Sequence, residues 1–469
     1  MDTYSKNYWG LYLDFLDDFK ELIYQGYPIA YLSHYRSLII GNKRLMRDLQ
    51  SPEFTRTIMN KIQSTAAVQQ KFNTFRASVR KMQRVRKGGM IVLHDVYDLL
   101  RFPEKTLKNH FHPSQTLIFE EKGMKKKKES FPRASGFKYK CFTDYQVDIS
   151  TAVKKVKRKA REIIASHPDH PMYTHKTFQT RWMLQIVKIM NRINESMQLF
   201  KRVHVSAIVV PSTHYPESRT LVIVASKYGI PTVSMQHGII SGESGFIPKI
   251  ADIDAVYGPF ETEWFQARGV SAEEIMEVGH PRFDEITRVP KVSQASMMKK
   301  LRLHPSRKNV LLIVRSQKKY KVWDQFLKKL TVKQKLNIIL KDFPNRSNHP
   351  LIKNHSYVHS SVGYELYDLI AMADVVVTYF STVALEAMLA GKTVFILDRP
   401  FGGYSGYYTK MGDLAQKDPG KLAGIFSEYI RADKMKSYAE QKVKDFVAYA
   451  YAAKRSSGER LMNLLKRWV

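Results

Sequence analysis

From about residue 200 onward the chain alternates short apolar runs with amphipathic stretches, and no other feature restricts its fold so strongly. "VSAIVVPS" (205–212) reads as a buried strand, "ESRTLVIVASKYG" (217–229) as a helix ended by Gly229, and "IPTVSM" (230–235) as the next strand. "DIDAVYG" (252–258), "PFETEWFQARG" (259–269) and "IMEVGHPRFDEI" (275–286) continue as strand, helix, and strand running into a loop. Apolar runs separated by helices predict a parallel sheet covered on both faces. The pattern breaks at 288–308, a polar and basic stretch with two prolines, and then resumes. Strands are expected at 309–317, 336–344, 374–381 and 392–398, with helices at 322–333, 361–373 and 382–391. The chain of 469 residues is too long for one ordinary core, so the economical reading is two βα arrays. The expected domains are 1–287, with helical additions, and 288–469. In the amino-terminal half, "MIVLHDVYDLL" and "QTLIFEEKG" read as strand-to-loop segments of undetermined order.

Charge narrows the partners. Seventy-six Lys and Arg against forty-three Asp and Glu leave a net +33, which attracts nucleic acid, anionic lipid or phosphorylated substrates. Residues 70–87 and 151–164 read as basic amphipathic helices, and "KGMKKKKES" (122–130) as an exposed basic loop. Such helices face a core with a solvated basic side, or lie against an anionic membrane surface. No helix-turn-helix, zinc-finger or aromatic-interleaved RNA motif is present, which argues against a specific nucleic-acid partner. "LVIVA" and "VVVTYF" fall far short of a bilayer span of roughly 18–20 residues. The first residues carry acids inside their apolar pattern, unlike a signal peptide. A single cysteine, Cys141, excludes an internal disulfide and a cysteine-based zinc site. These features predict a cytoplasmic protein, peripheral at the inner face of the plasma membrane if the basic surface binds lipid.

In open α/β sheets ligands bind beyond the carboxyl ends of the strands. Strand 230–235 ends in Gln236-His237-Gly238, strand 309–314 in Arg315-Ser316-Gln317, strand 336–340 in Lys341, and strand 374–380 in Ser381-Thr382. An unperturbed imidazole titrates near pH 6.5, so His237 suits a general base toward a hydroxyl, against the plainer reading of a strand-end histidine bonded to backbone. Ser381 or Thr382 is placed to cap the next helix, whose free N–H groups suit a phosphate. Glu386, one turn on, suits ribose hydroxyls, or is an ordinary helix glutamate. Arg315 and Lys341 are candidate counter-ions to a diphosphate. His214, Glu217, His280 and Asp284 lie in or beside other loops at the presumed strand ends and are candidate acceptor or cleft residues. No metal-ligating motif appears, so neither a metal nor another cofactor is expected.

"VVPSTHYPESRTLVIVASKYGIPTVSMQHG", "VYGPFETEWFQARGV", "VGHPRFDEI" and "ELYDLIAMADVVVTYFSTVALEAMLAGKTVFILD" resemble glycosyltransferases of the GT-B fold that build bacterial capsules and cell-wall polysaccharides. More distantly, they are similar to teichoic-acid polyol-phosphate transferases and nucleotide-sugar 2-epimerases. The resemblance implies two Rossmann-like domains with parallel sheets facing across a cleft, 1–287 on the acceptor side and 288–469 on the donor side. It implies a nucleotide-sugar donor and a lipid-linked or polysaccharide acceptor. Ser381 and Thr382 would then contact the diphosphate, Glu386 the ribose, and His237 would match the base of the Trp-His-Gly motif of the polyol-phosphate transferases. Those relatives often carry Lys-x-His-Pro where this chain reads Lys341-Asp342-Phe343-Pro344. The leading expectation is therefore an inverting nucleotide-sugar glycosyltransferase, and the alternative a transferase using a CDP-glycerol type of donor.

Overall fold

Among the described residues, thirteen strands form two all-parallel sheets, one in each of two units. The computed structural model describes residues 1–80, 87–121, 136–315, 320–343, 349–399, 401–451 and 456–469. The first unit is Met1–Pro281 together with Gly402–Ser405 and the C-terminal helix Ser457–Leu465. The second runs from Arg282 to Phe401 and resumes at Gly406, ending in the helix Asp433–Ala450. The division thus falls at Pro281, ahead of the polar stretch at 288–308, within which Gln294–Lys300 forms a helix.

The assignment of the last helix differs from the expected boundaries because its apolar face completes the first core. Leu461, Leu464 and Leu465 are buried with Ile91, Leu93, Leu107 and Ile118. A Cβ at Gly458 would lie 2.5 Å from Cδ2 of His110, so a side chain there would require the His110 ring or this helix to shift.

In the first unit the strands are β1 (Met90–Asp95), β2 (Thr116–Glu120), β3 (Lys138–Cys141), β4 (Val205–Val210), β5 (Thr232–Met235), β6 (Ile253–Val256) and β7 (Ile275–Glu277). They lie in the order β3-β2-β1-β4-β5-β6-β7. Every residue of β4 is buried, as its unbroken apolar run requires of a central strand. Edge strand β3 reads Lys-Tyr-Lys-Cys with no residue fully buried, and that is why no apolar run announced it. Because β2 and β3 lie on one side of β1 and the later strands on the other, the topological switch point is between β1 and β4.

Helices Thr3–Asp18, Ala66–Val79, Ser150–Ala165 and Lys176–Arg202 are the amino-terminal additions. In Ala66–Val79, Val68, Phe72 and Phe75 are buried, but so is Arg76, which bonds the Ala251 carbonyl and pairs with Glu274 at 3.0 Å. Arg80 pairs with Asp252 at 3.2 Å. Arg76 thus braces the unit from inside, while the side chain of Arg80 is 42% exposed and meets Asp252 at the surface. The rest of the expected basic helix, 81–86, and the basic loop at 122–130 lie outside the described residues. Ser150–Ala165 does expose Lys154, Lys155, Arg158 and Arg161 while burying Val156 and Ala160. Among the described residues, no helix is long and apolar enough to cross a membrane.

The second unit holds β8 (Lys308–Arg315), β9 (Leu336–Phe343), β10 (Val358–Ser360), β11 (Val375–Tyr379), β12 (Thr393–Leu397) and β13 (Ala415–Gln416), in the order β10-β9-β8-β11-β12-β13. Its switch point lies between β8 and β11 by the same rule.

Candidate functional site

The turn leaving β5 is built around Gln236. Its side-chain amide donates to Glu261 Oε1 and to the Gly238 carbonyl, each at 2.9 Å, and its oxygen accepts the Tyr257 N–H at 3.0 Å. Gln236 and Gly238, expected as cleft residues, therefore tie the strand end to the helix Pro259–Gln266. Glu261 is fully buried and also accepts the Gly258 N–H at 3.1 Å. Burial pushes its carboxyl up to about 8, partly opposed by these donors.

An unfolded glutamate titrates near 4.3, so between about pH 5 and 8 unfolding releases this proton and rising pH favours the unfolded state. Glu261→Gln removes that dependence. Urea melts at pH 5.5 and 7.5 should show wild type losing about 1.4 kcal/mol per pH unit relative to the variant. Parallel pH dependences would mean that the folded protein holds Glu261 ionised.

With the turn so fixed, the imidazole of His237 is half-buried and its Nδ1 lies 2.9 Å from the Pro211 carbonyl. A carbonyl only accepts, so Nδ1 carries the proton and the lone pair of the neutral ring is on Nε2. The Phe246 ring lies nearly parallel to it, centroids 6.1 Å apart. A cavity of about 30 Å³ beside it, lined by Ser212, Gln236, Phe246 and Asp254 among others, has room for little more than water. Pro211 follows β4, one of the two strands at the switch point, so a strand-end carbonyl there selects the tautomer.

The other expected residues of this unit divide. His214, three residues beyond Pro211, packs edge-on against His34, centroids 4.3 Å apart. Burial, reinforced by His34 and Arg219, holds its pKa well below the usual histidine range. Glu217 is buried at the start of Pro216–Lys227, where Lys188 at 2.6 Å and the Tyr97 hydroxyl at 2.9 Å donate to it. Burial pushes its carboxyl up, but Lys188 outweighs that and keeps it below the ordinary value. His280 is wholly buried, its ring 6.0 Å from that of Phe102.

In the second unit, β8 ends at Arg315, whose side chain is exposed. Ile313 pairs with Thr378 of β11, so the same register puts Arg315 level with Phe380, beside Ser381. Ser381 is the N-cap of the helix Thr382–Leu389, its hydroxyl accepting the Val383 N–H at 3.3 Å, and Thr382 is the first helical residue. The buried Tyr408 donates to the Ser381 carbonyl at 2.6 Å and anchors the helix start. Arg315 and this helix start flank the switch point, the position where α/β sheets take phosphate ligands.

Lys341 and Glu386 are placed differently from expectation. Strand β9 continues to Phe343, which puts Lys341 inside it, 7% exposed, donating to the Tyr364 carbonyl at 3.0 Å. Burial lowers its pKa. Glu386 is buried and pairs with Arg282 at 3.1 Å. Sequence reasoning missed Arg282 although "GHPRFDEI" contains it, because its partner lies about a hundred residues away. Asp284 is exposed in the short helix Pro281–Glu285. Ser316, Gln317 and Pro344 lie outside the described residues. Among the described residues, no group of three or more His, Cys, Asp or Glu could hold a metal.

These two switch points can be compared with known proteins. Residues 252–466 match the family model of CDP-Glycerol:Poly(glycerophosphate) glycerophosphotransferase. The match is to a family of transferases, and it takes in β6, β7, Arg282, Arg315 and the capped helix at Ser381. No curated protein sequence matches the chain significantly. Among solved structures, MnaA of S. aureus with UDP aligns at a TM-score of 0.51 and 12% identity, over 81% of this chain and 96% of that one. HepE of Anabaena, in complex with UDP and glucose, aligns at 0.50 and 12%, over 81% and 99%. The wall teichoic acid polymerase TagF aligns at 0.46 and 14%, over 85% and 93%, a likeness too weak to add to the fold assignment. The first two establish the fold: two Rossmann-like units of the GT-B type.

Proposed function

We propose that this protein transfers a polyol phosphate, of the glycerophosphate type, from a cytidine-diphosphate donor to a growing phosphate-containing polymer. The match of 252–466 to the glycerophosphotransferase family carries this reading, and it favours the second of the two expectations over the nucleotide-sugar glycosyltransferase. In the reaction an acceptor hydroxyl attacks the phosphorus that bears the polyol. The bond from that phosphorus to the bridging oxygen breaks, and cytidine monophosphate leaves with the electron pair. His237, its lone pair directed to Nε2 by the Pro211 carbonyl, takes the hydroxyl proton. The helix start at Ser381 and the exposed Arg315 are the candidate donor-phosphate ligands, since fixed N–H groups and a guanidinium stabilise charge gathering on phosphate oxygens. Lys341, committed to a carbonyl, leaves Arg315 as the stronger candidate cation.

Incubating the protein and an acceptor polymer with CDP-glycerol, and separately with UDP-, GDP- and CDP-sugars, discriminates the readings. Acceptor-dependent release of cytidine monophosphate is expected. Release of a nucleoside diphosphate from a sugar nucleotide, with CDP-glycerol untouched, would replace this reading by the glycosyltransferase one.

A further inference from the structure

The amino-terminal additions bring cations to the His237 corner that the reading above leaves unused. His34 precedes the helix Tyr35–Ile39 and meets His214 ring to ring, while its backbone N–H is fixed by Gln185 at 2.8 Å. Two residues later, half-buried Arg36 donates to Ser244 Oγ at 2.9 Å, in the loop that follows Gln236-His237-Gly238. Arg219 is 2% exposed, and only neutral oxygens hold it: the carbonyls of Thr213 and Ser33 at 2.8 Å, and that of Tyr31 and the Tyr12 hydroxyl at 3.3 Å.

Among the described residues neither Arg36 nor Arg219 makes an ion pair. The carboxylates close by already have cations, Glu217 with Lys188 at 2.6 Å and Glu243 with Arg268 at 2.9 Å. A buried guanidinium without a counter-charge is costly, and its field reaches the adjoining space. The two histidines register that field: burial lowers both, and Arg219 and Arg36 lower them further. An anion is the missing member of this cluster.

We propose that Arg36, His34 and His214, backed by Arg219, form a phosphodiester-binding subsite beside His237 that holds the acceptor polymer. The inference rests on the polyol-phosphate reading, because the attacking hydroxyl of such a polymer lies only a few bonds from its last phosphodiester. A base on this loop therefore needs an anion clamp nearby. All four residues precede 252, outside the segment that matches the transferase family.

Isothermal titration with a synthetic glycerol phosphodiester dimer, and separately with CDP, tests the assignment and its source. Arg36→Gln should weaken diester binding about tenfold or more and leave CDP affinity unchanged, since a charge-assisted contact is lost. Arg36→Lys should recover part of the loss. Ser244→Ala, which removes one of the hydroxyl partners of Arg36 and leaves Tyr4, should stay within about twofold of wild type. Arg315→Gln should do the reverse, weakening CDP and sparing the diester. Equal diester affinity in wild type and Arg36→Gln, no diester binding by wild type, or a parallel loss of CDP would each overturn the subsite. Arg36-dependent diester binding in a protein that does not bind CDP would keep the subsite and defeat the functional reading.

Discussion

Replacing His237 by alanine lowers the rate of transfer by about two to four orders of magnitude, the range that a positioned general base supplies. The more informative substitution is His237→Asn. An asparagine amide can still donate to the Pro211 carbonyl now bonded by Nδ1 at 2.9 Å, but it offers no lone pair of comparable basicity in place of Nε2. If the histidine acts as the base, the asparagine variant falls as far as the alanine variant while both keep wild-type melting temperatures and CDP affinity. Steady-state rates with saturating CDP-glycerol, and CDP binding measured by calorimetry, separate the terms. An asparagine variant that retains most of the turnover would make the imidazole a strut for the 211–214 loop and would move the base elsewhere.

The largest stability effect belongs to Arg282. Its side chain and that of Glu386 are 11% and 7% exposed, and they pair at 3.1 Å. Arg282→Ala breaks this buried pair from one side, a change that typically costs about 3–5 kcal/mol. Because buried pairs are expensive to desolvate, removing the second charge as well should recover much of that loss. Urea melts of Arg282→Ala, Glu386→Gln and the double variant, monitored on the second unit, should therefore show a double variant more stable than Arg282→Ala. Strict additivity would contradict the pairing. The same cycle bears on Glu386 as a ribose acceptor: a carboxylate already held by Arg282 is positioned by it, so CDP affinity should fall in both single variants.

Four of the six strands in the sheet of the second unit were legible because "NVLLIVR", "LNIIL", "VVVTY" and "TVFIL" are unbroken apolar runs, the pattern that burial on both faces requires, whereas the short edge strands β10 and β13 were not. Strand β3 was not, since Lys138-Tyr139-Lys140-Cys141 lies at an edge where only backbone pairing is needed. A cap at Ser381 or Thr382 was readable from local chemistry alone, and the structure selects Ser381, with the helix beginning at Thr382. Lys341 was read as the residue at which a strand ends, although the run 336–344 was also read as strand; β9 pairs with β8 as far as Phe343, which puts Lys341 inside the ladder. The Arg282–Glu386 pair, the Pro211 carbonyl on His237 and the contact of Ser244 with Arg36 join residues distant in sequence, and no local pattern encodes them. The helix at 457–465 was assigned to the wrong half for a related reason: its leucine stripe shows that it is buried but not against which core.

The central claim is the chemistry of the bond formed, and phosphorus NMR of the acceptor polymer after turnover with CDP-glycerol reads it directly. A new phosphodiester resonance is expected that grows in step with released cytidine monophosphate and is absent with His237→Asn. An acceptor that gains no phosphorus, or that gains a glycosidic linkage from a sugar nucleotide instead, would contradict it.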